Sequence, residues 1–475
     1  MKCPVRLGYA TPQKDKLLTY KNDAHLITVA PSGSGKGRDV LVPALLTYEG
    51  SCIVIDPKGQ LAAITRKQRE RMGQRIIVLN PFNILPEYIG ASARFNPMAA
   101  LDPGLDSFGT DCDNIADAIV VHESGGRDNH WNDSAHGLIS ALIGHLAANM
   151  NAEDRTLGEV RKILRRPSLL EDAADFAQGG KDEMVAEALD GFRDLANAPN
   201  KSELSSIIST ARTQTKFLGT KAIAENLNGS DFRFRELKVG RKDDKRPVTV
   251  YLTLPTRYLG TCSKWFRLVV AAALDDLMRE ETGVPVLVIL DEFYQLGKLK
   301  VIQNAMSLAR GYGLQLWPIL QDLTQLQEHY EKSWETFLGN AGVRMFFAPR
   351  EMTTAEYVSK LCGETTVTTT STSQGKSENS GRGVFDGTTG KSESTSTGVT
   401  QRRVKLPHEV FQIPGDQFWL FPETLLEATF IRGYRADYRT IPEFGGKYSP
   451  DPYHLPKAER EARQSEKQSE KAHVG

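Results

Sequence analysis

The stretch Ala30-Pro31-Ser32-Gly33-Ser34-Gly35-Lys36-Gly37 follows an apolar run at 25–30 and opens onto a helix-compatible run at 38–46. Strand, glycine-rich turn and helix in that order are the setting of a phosphate-binding loop. Its chemistry needs successive backbone N–H groups turned inward around an anion. Gly33 and Gly35 permit this, because glycine tolerates unusual dihedrals and leaves no side chain in the way. The start of the helix adds its dipole to the attraction. Pro31, Ser32, Gly33, Ser34, Gly35, Lys36 and Gly37 are therefore the candidate nucleotide-binding residues, with the Lys36 ammonium as a point charge for the β and γ phosphates of ATP. The match to G-x-x-x-x-G-K-[ST] departs at both ends, since Ala30 replaces the first glycine and Gly37 the hydroxyl residue. Without that hydroxyl, Mg2+ is expected to rest more on waters and on an acid supplied from elsewhere in the chain.

That acid comes from a second strand. The run Val286-Leu287-Val288-Ile289-Leu290 leads straight into Asp291-Glu292, so two carboxylates emerge at the carboxyl end of a buried strand, the edge at which open α/β sheets bind ligands. Asp291 is the candidate metal residue. Glu292 is the candidate catalytic base, suited to orient and deprotonate an attacking water. Downstream, the run at 314–320 delivers Gln321 at its own carboxyl end, where an amide can report loss of the γ phosphate. Arg310 ends the intervening helix with nothing local to pair, and is a candidate arginine finger across a subunit interface, a role worth about 10³ to 10⁵ in rate where it operates.

Outward from these motifs, short Val- and Ile-rich runs at 25–30, 52–55, 75–79, 248–254, 286–290, 314–320, 343–348 and 418–421 read as buried parallel strands. Strand alternating with helix implies a doubly wound α/β domain of the RecA-like P-loop NTPase type, with a central, mostly parallel sheet. Between 101 and 232 no such run occurs, and helical spacing recurs at 134–148, 156–164, 184–195 and 204–218. The expected organisation is a first part of the nucleotide-binding domain at 1–100, an inserted all-α domain at 101–232, and the second part at 233–455. Residues 365–400 are Ser, Thr, Gly and charged groups with almost nothing to bury, as in a flexible loop or extended hairpin. The charged stretch at 456–475 lacks an apolar stripe and reads as a disordered tail.

Composition narrows the classes. The 475 residues are 40% hydrophobic and 25% charged, enough for a large core, and Lys+Arg and Asp+Glu both number 59. A balanced chain does not coat nucleic acid by charge alone, so any DNA contact must be local. Cys3, Cys52, Cys112, Cys262 and Cys362 show no ligand spacing, fit a reducing compartment, and mostly read as core thiols. No run approaches the roughly 18 to 20 apolar residues that span a bilayer, and no secretory signal opens the chain. Among the histidines at 122, 130, 136 and 145, His130 and His136 do not share a helix face, so a metal site is not expected. The basic groups Arg161, Lys162, Arg165, Arg166 and Arg241, Lys242, Lys245, Arg246 read as solvated surface rather than phosphate contacts.

APSGSGKG at 30–37, DPKGQ at 56–60, LDEFYQLGKL and ARGYGLQLWPILQDLTQL follow one another in order. Together with HWNDSAHGLISAL and RMFFAPREMTTAEYVSKLCGETTV, they make the chain from about residue 24 to about 453 resemble the TraG/TraD-like coupling proteins of conjugation and type IV secretion. The glycine after the P-loop lysine is usual in that family. The resemblance implies a homo-hexameric, DNA-stimulated ATPase at the inner face of the cell membrane. Such a protein binds single- or double-stranded DNA, receives a relaxase complex or protein effectors, and passes them to the secretion channel. Carried over by motif, Lys36 is the P-loop lysine, Asp291 and Glu292 the acidic pair, Gln321 the phosphate sensor and Arg310 the trans-acting arginine. Family members usually begin with transmembrane helices, whereas here the P-loop strand begins by about residue 25, so a separate membrane anchor protein is one expectation. An FtsK- or HerA-like DNA pump and a docking adaptor without strong turnover are the alternatives.

Overall fold

The computed structural model describes residues 3–121, 129–166, 183–197, 202–378, 389–423 and 430–455. The tail at 456–475, His122 and the 379–388 tip of the Ser/Thr-rich stretch lie outside the described residues. The strands are β1 (Val5–Tyr9), β2 (Leu17–Tyr20), β3 (His25–Val29), β4 (Ser51–Ile55), β5 (Arg75–Leu79), β6 (Val248–Leu252), β7 (Val286–Leu290), β8 (Leu314–Leu320), β9 (Ala341–Phe346), β10 (Glu364–Glu378), β11 (Thr389–Arg403), β12 (Gln417–Pro422) and β13 (Ile431–Tyr434).

Side chains alternate across a strand, and here both faces are covered. Ile27, Val29, Ile53, Ile55, Val288 and Leu290 enter one apolar cluster. Leu26, Cys52, Val54, Leu287 and Ile289 enter another. This explains why these strands read as unbroken apolar runs. The main sheet is ordered β2-β1-β13-β12-β9-β3-β8-β7-β4-β6-β5. From β9 to β5 the neighbours run parallel, while β12, β13, β1 and β2 extend it antiparallel. The strand β8 stands between the P-loop strand β3 and the acid-bearing β7, so the ends of β3, β8 and β7 lie side by side. The solved fold is α/β, RecA-like and mostly parallel, as the sequence led us to expect. Missing from that expectation were β1, β2 and β13, which are short; the β1–β2 hairpin joins the sheet through β13, from the far end of the chain.

Between 101 and 232 the described elements are helical, including Phe108–Ile119, Asn129–Asn149, Leu157–Arg165 and Ser202–Gln214. Their apolar residues Ile115, Ile119, Leu138, Leu142, Val160 and Ile207 join the same cluster as Trp265, Phe266 and Leu274 of the helix Leu259–Met278. The chain leaves and re-enters the sheet region at one place. Phe95 N–H donates to the Asn226 carbonyl at 2.9 Å, Arg94 pairs with Asp231 at 3.0 Å, and Trp265 Nε1 donates to Asn226 Oδ1 at 3.0 Å. The basic groups there serve structure. Arg161 Nη1 donates to the carbonyl of Arg212, and Arg212 Nε to that of Leu164 at 2.6 Å, so each arginine caps the carboxyl end of the other's helix.

The Ser/Thr-rich stretch is a long two-stranded antiparallel ribbon, β10 against β11, paired from Glu364↔Arg403 to Glu378↔Thr389. Of the two forms expected, loop or extended hairpin, the described residues adopt the second, because β-branched Thr and Val favour extended backbone and pair across strands without needing a core. Among the described residues, no helix is long and apolar enough to cross a membrane.

Candidate functional site: the phosphate loop and the acid strand

The loop after β3 has the dihedrals its glycines allow. Gly33 has φ 73° and Gly35 φ 87°, values open to glycine and costly to other residues. A Cβ on Gly33 would meet nothing within 4 Å, so the bowl is open, whereas one on Gly35 would lie 2.7 Å from Asp39 Oδ2. Ala30 N–H donates to the Leu320 carbonyl at 2.8 Å, joining the loop to β8. Lys36 then caps a wide π-helical turn, Gly37–Leu41, before the α-helix Val42–Thr47. A continuous helix from Arg38 was expected. Pro43, at the start of the α-helix, has no N–H to donate, and the hydrogen-bond ladder changes register just before it.

Lys36 Nζ lies 2.9 Å from Asp291 Oδ1 and 3.6 Å from Glu292 Oε1. Burial works against the ammonium, but the two carboxylates outweigh it and hold the Lys36 pKa above the usual lysine value. The close approach is an ion pair without a well-angled hydrogen bond, since neither Lys36 Nζ nor Asp291 Oδ1 has a hydrogen-bond partner. Glu292 has φ 56° and caps the 3-10 turn Phe293–Leu296, a left-handed backbone that is strained for a glutamate. Gln321 Nε2 donates to Glu292 Oε2 at 3.4 Å. Lys36, Asp291, Glu292 and Gln321 therefore meet at the carboxyl edge of three neighbouring strands.

Arg310 does not join them. It sits in the turn before β8, and its Nε pairs with Asp23 Oδ1 at 2.9 Å. As expected, nothing local pairs with Arg310. Its partner is 287 positions away in sequence, which local reading could not find. The length of β8, about 20 Å at 3.3 Å per residue, separates it from Gln321, so it cannot reach its own chain's phosphate loop.

Three site residues escaped sequence reading. Asp56, at the end of β4 beside β7, is 3% exposed and accepts from the Gln60 and Ala62 N–H groups at 3.0 and 2.8 Å. Burial, with a contribution from Asp291, raises its pKa to about 7. The rule that singled out Asp291, an acid ending a buried strand, would have found it. Arg435 donates from Nη1 to the Ser34 carbonyl, approaches the buried Asp39 carboxylate at 3.4 Å and lies over the Phe347 ring. No local signal links residues 34 and 435. Asp39 also accepts from Arg38 Nε at 2.6 Å, so an acid braced by two arginines underlies the loop.

The residues present fit a bound triphosphate and its metal. The bowl is open, Ser34 Oγ and Lys36 Nζ are buried without hydrogen-bond partners, and the acid pair offers the hard oxygen donors Mg2+ prefers. A Cβ on Gly37 would meet nothing within 4 Å, so the missing hydroxyl is not enforced by crowding.

The chain is similar to the conjugal transfer protein TraG of Escherichia coli, 29% identical over 372 residues, covering 74% of this chain and 56% of that protein. It is 27% identical over 420 residues to the type IV secretion system-coupling protein VirD4 of Bartonella quintana (strain Toulouse), covering 83% of this chain and 60% of that one. It thus spans little more than half the length of these relatives. In fold it is similar to the bacterial conjugative coupling protein TrwBdeltaN70 in its unbound form, with TM-score 0.63 at 16% identity over 90% of this chain and 88% of that one. The plasmid coupling protein TrwB in complex with ADP and Mg2+ gives TM-score 0.61 at 16% identity over 88% and 85%. The model of the family described as type IV secretory system conjugative DNA transfer matches residues 6–427, and the chain belongs to that family.

Proposed function

We propose that this chain is the ATP-hydrolysing motor of a type IV secretion or conjugative coupling protein. The observation that carries the reading is the convergence of Lys36, Asp291, Glu292 and Gln321 at one sheet edge. The Lys36 ammonium lies against the acid pair and neutralises it. Incoming phosphates compete for that ammonium, and the backbone N–H groups of 33–37 and the helix dipole hold the added negative charge. With Lys36 on phosphate, Asp291 would be the carboxylate that holds Mg2+. A bound Mg2+ would neutralise charge building on the phosphate oxygens. Among the described residues no cluster of three or more His, Cys, Asp or Glu side chains is arranged to chelate an ion. Mg2+ commonly binds through one or two carboxylates, waters and phosphates, and Asp291 supplies such a carboxylate. Glu292 orients water and takes its proton, while Gln321, bonded to Glu292, feels its charge and position.

Around this site the family likeness supports a homo-hexamer acting on DNA, single- or double-stranded, with a relaxase or protein effectors as cargo and secretion-channel components as neighbours. It also supports a place at the inner face of the cell membrane. The test is ATP turnover with Mg2+, with and without DNA. Stimulation by DNA is expected, and no turnover under either condition overturns the motor reading in favour of a docking adaptor. Recovery of septal or DNA-end-processing proteins in a pull-down, in place of a relaxase or channel proteins, would favour a DNA pump instead.

Arg310 acts in this scheme on the neighbouring subunit's nucleotide. Rings mixing Arg310→Ala with Glu292→Gln subunits are expected to regain activity that neither has alone, because each defect then sits in a different half of a shared site. Mixed rings without recovery leave Arg310 as a surface partner of Asp23.

A further inference from the structure

Arg267 lies on the helix Leu259–Met278 and is 3% exposed. Among the described residues no carboxylate forms an ion pair with it, and burial draws its pKa down to about 10. Its donors go to backbone carbonyls of two different elements. Nε donates to the Ala118 carbonyl at 3.2 Å, and Nη1 to those of Leu296 and Lys298 at 2.6 and 2.9 Å. Ala118 is in the last turn of the helix Phe108–Ile119, where carbonyls lack intrahelical partners and the dipole favours a cation. Leu296 ends the short turn that Glu292 begins, and Gln295 N–H closes that turn on the Glu292 carbonyl at 2.9 Å. At Gly297, φ 63°, an added Cβ would lie 3.3 Å from Arg267 Nη1, so the glycine lets the guanidinium approach closely.

An apolar side chain would fill this space without the cost of desolvating a charge. What the guanidinium adds is a planar fork with several fixed donors, which lysine cannot reproduce. Beside the fork lies a cavity of about 530 Å³, lined by Asp117 and Ala118 of the helical segment, Arg267 itself, and Lys298, Leu299 and Lys300 of the loop after the acids. Arg267 is hydrogen-bonded to both sides of this cavity, to the helical segment and to the loop.

We propose that Arg267 is a positioning residue for Glu292, tying the 108–119 helix to the turn that sets the base, so that what happens to the helical segment is felt at the γ phosphate. The inference rests on the hydrolytic reading above. The test compares wild type with Arg267→Lys in the full chain. It measures affinity for a fluorescent ATP analogue, kcat with and without DNA, and hydrogen–deuterium exchange. Expected for Arg267→Lys are analogue affinity within twofold of wild type, kcat at least tenfold lower, and a DNA stimulation ratio falling towards one. Exchange should rise at 293–301 with protection at 33–46 unchanged. In a folded Arg267→Lys protein, unchanged kcat, or analogue affinity lost as far as kcat, overturns the proposal. If Arg267→Lys does not fold, Gly297→Ala strains the clamp from the loop side and must give the same loss of kcat without loss of binding. A wild type that binds but never hydrolyses ATP sinks the hydrolytic reading. The exchange at 293–301 still decides whether Arg267 holds the turn.

Discussion

Glu292→Gln is expected to bind ATP and fail to turn it over, with a fall in kcat of about 10² to 10⁴ and little change in nucleotide affinity. The amide keeps the size and planarity of the carboxylate, and Lys36 still has Asp291 at 2.9 Å, so the phosphate bowl is preserved. What disappears is the proton acceptor, and general-base catalysis typically contributes that range. Gln321 loses a charged acceptor at 3.4 Å and keeps a neutral one, so the geometry at the end of β8 should hold. Single-turnover hydrolysis against equilibrium binding separates the two effects. Equal loss of binding and turnover would mean that Glu292 holds the loop together rather than acting on water.

Lys36→Ala should damage both steps. A hydrogen bond to a charged group contributes about 1.5–3 kcal/mol, which corresponds to roughly ten- to hundredfold in ATP affinity at 1.4 kcal/mol per decade. Turnover should fall further, because the negative charge on the transferring phosphate loses its fixed cation. The contacts of Lys36 give a second signature. Lys36 is the cation beside Asp291 and Glu292, with the buried Asp56 on the next strand. Removing it leaves acids facing one another. Mg2+ alone is therefore expected to raise the melting temperature of Lys36→Ala more than that of wild type, and an equal response would show that the ammonium does not guard the metal position.

Much of this was readable in the chain itself. Buried parallel strands announce themselves as apolar runs because both faces are covered, and the phosphate loop depends on residue types that local chemistry dictates: glycines at φ 73° and 87°, and one lysine at a helix start. Asp291, Glu292 and Gln321 were legible for the same reason, since the end of a buried parallel strand is where a polar side chain meets a ligand. The antiparallel edge was not legible. Strand β1 pairs with β13 through Tyr9↔Tyr434, and nothing in four or five residues announces a partner so far along the chain.

The sequence by itself determined the fold class, the glycine-rich turn after β3 and the place of Asp291 and Glu292 at a strand end, because each is a local pattern of backbone freedom, periodicity and charge. Tertiary structure alone decided that β8 lies between β3 and β7, bringing Gln321 onto Glu292. It also decided that Arg310 is held by Asp23 at the opposite edge, that Arg435 braces Ser34, and that Arg267 bridges the helical segment and the turn after Glu292. Those contacts depend on strand order and helix packing. The free energy behind both is shared among the many residues of two apolar clusters, so no single stretch of sequence carries the information.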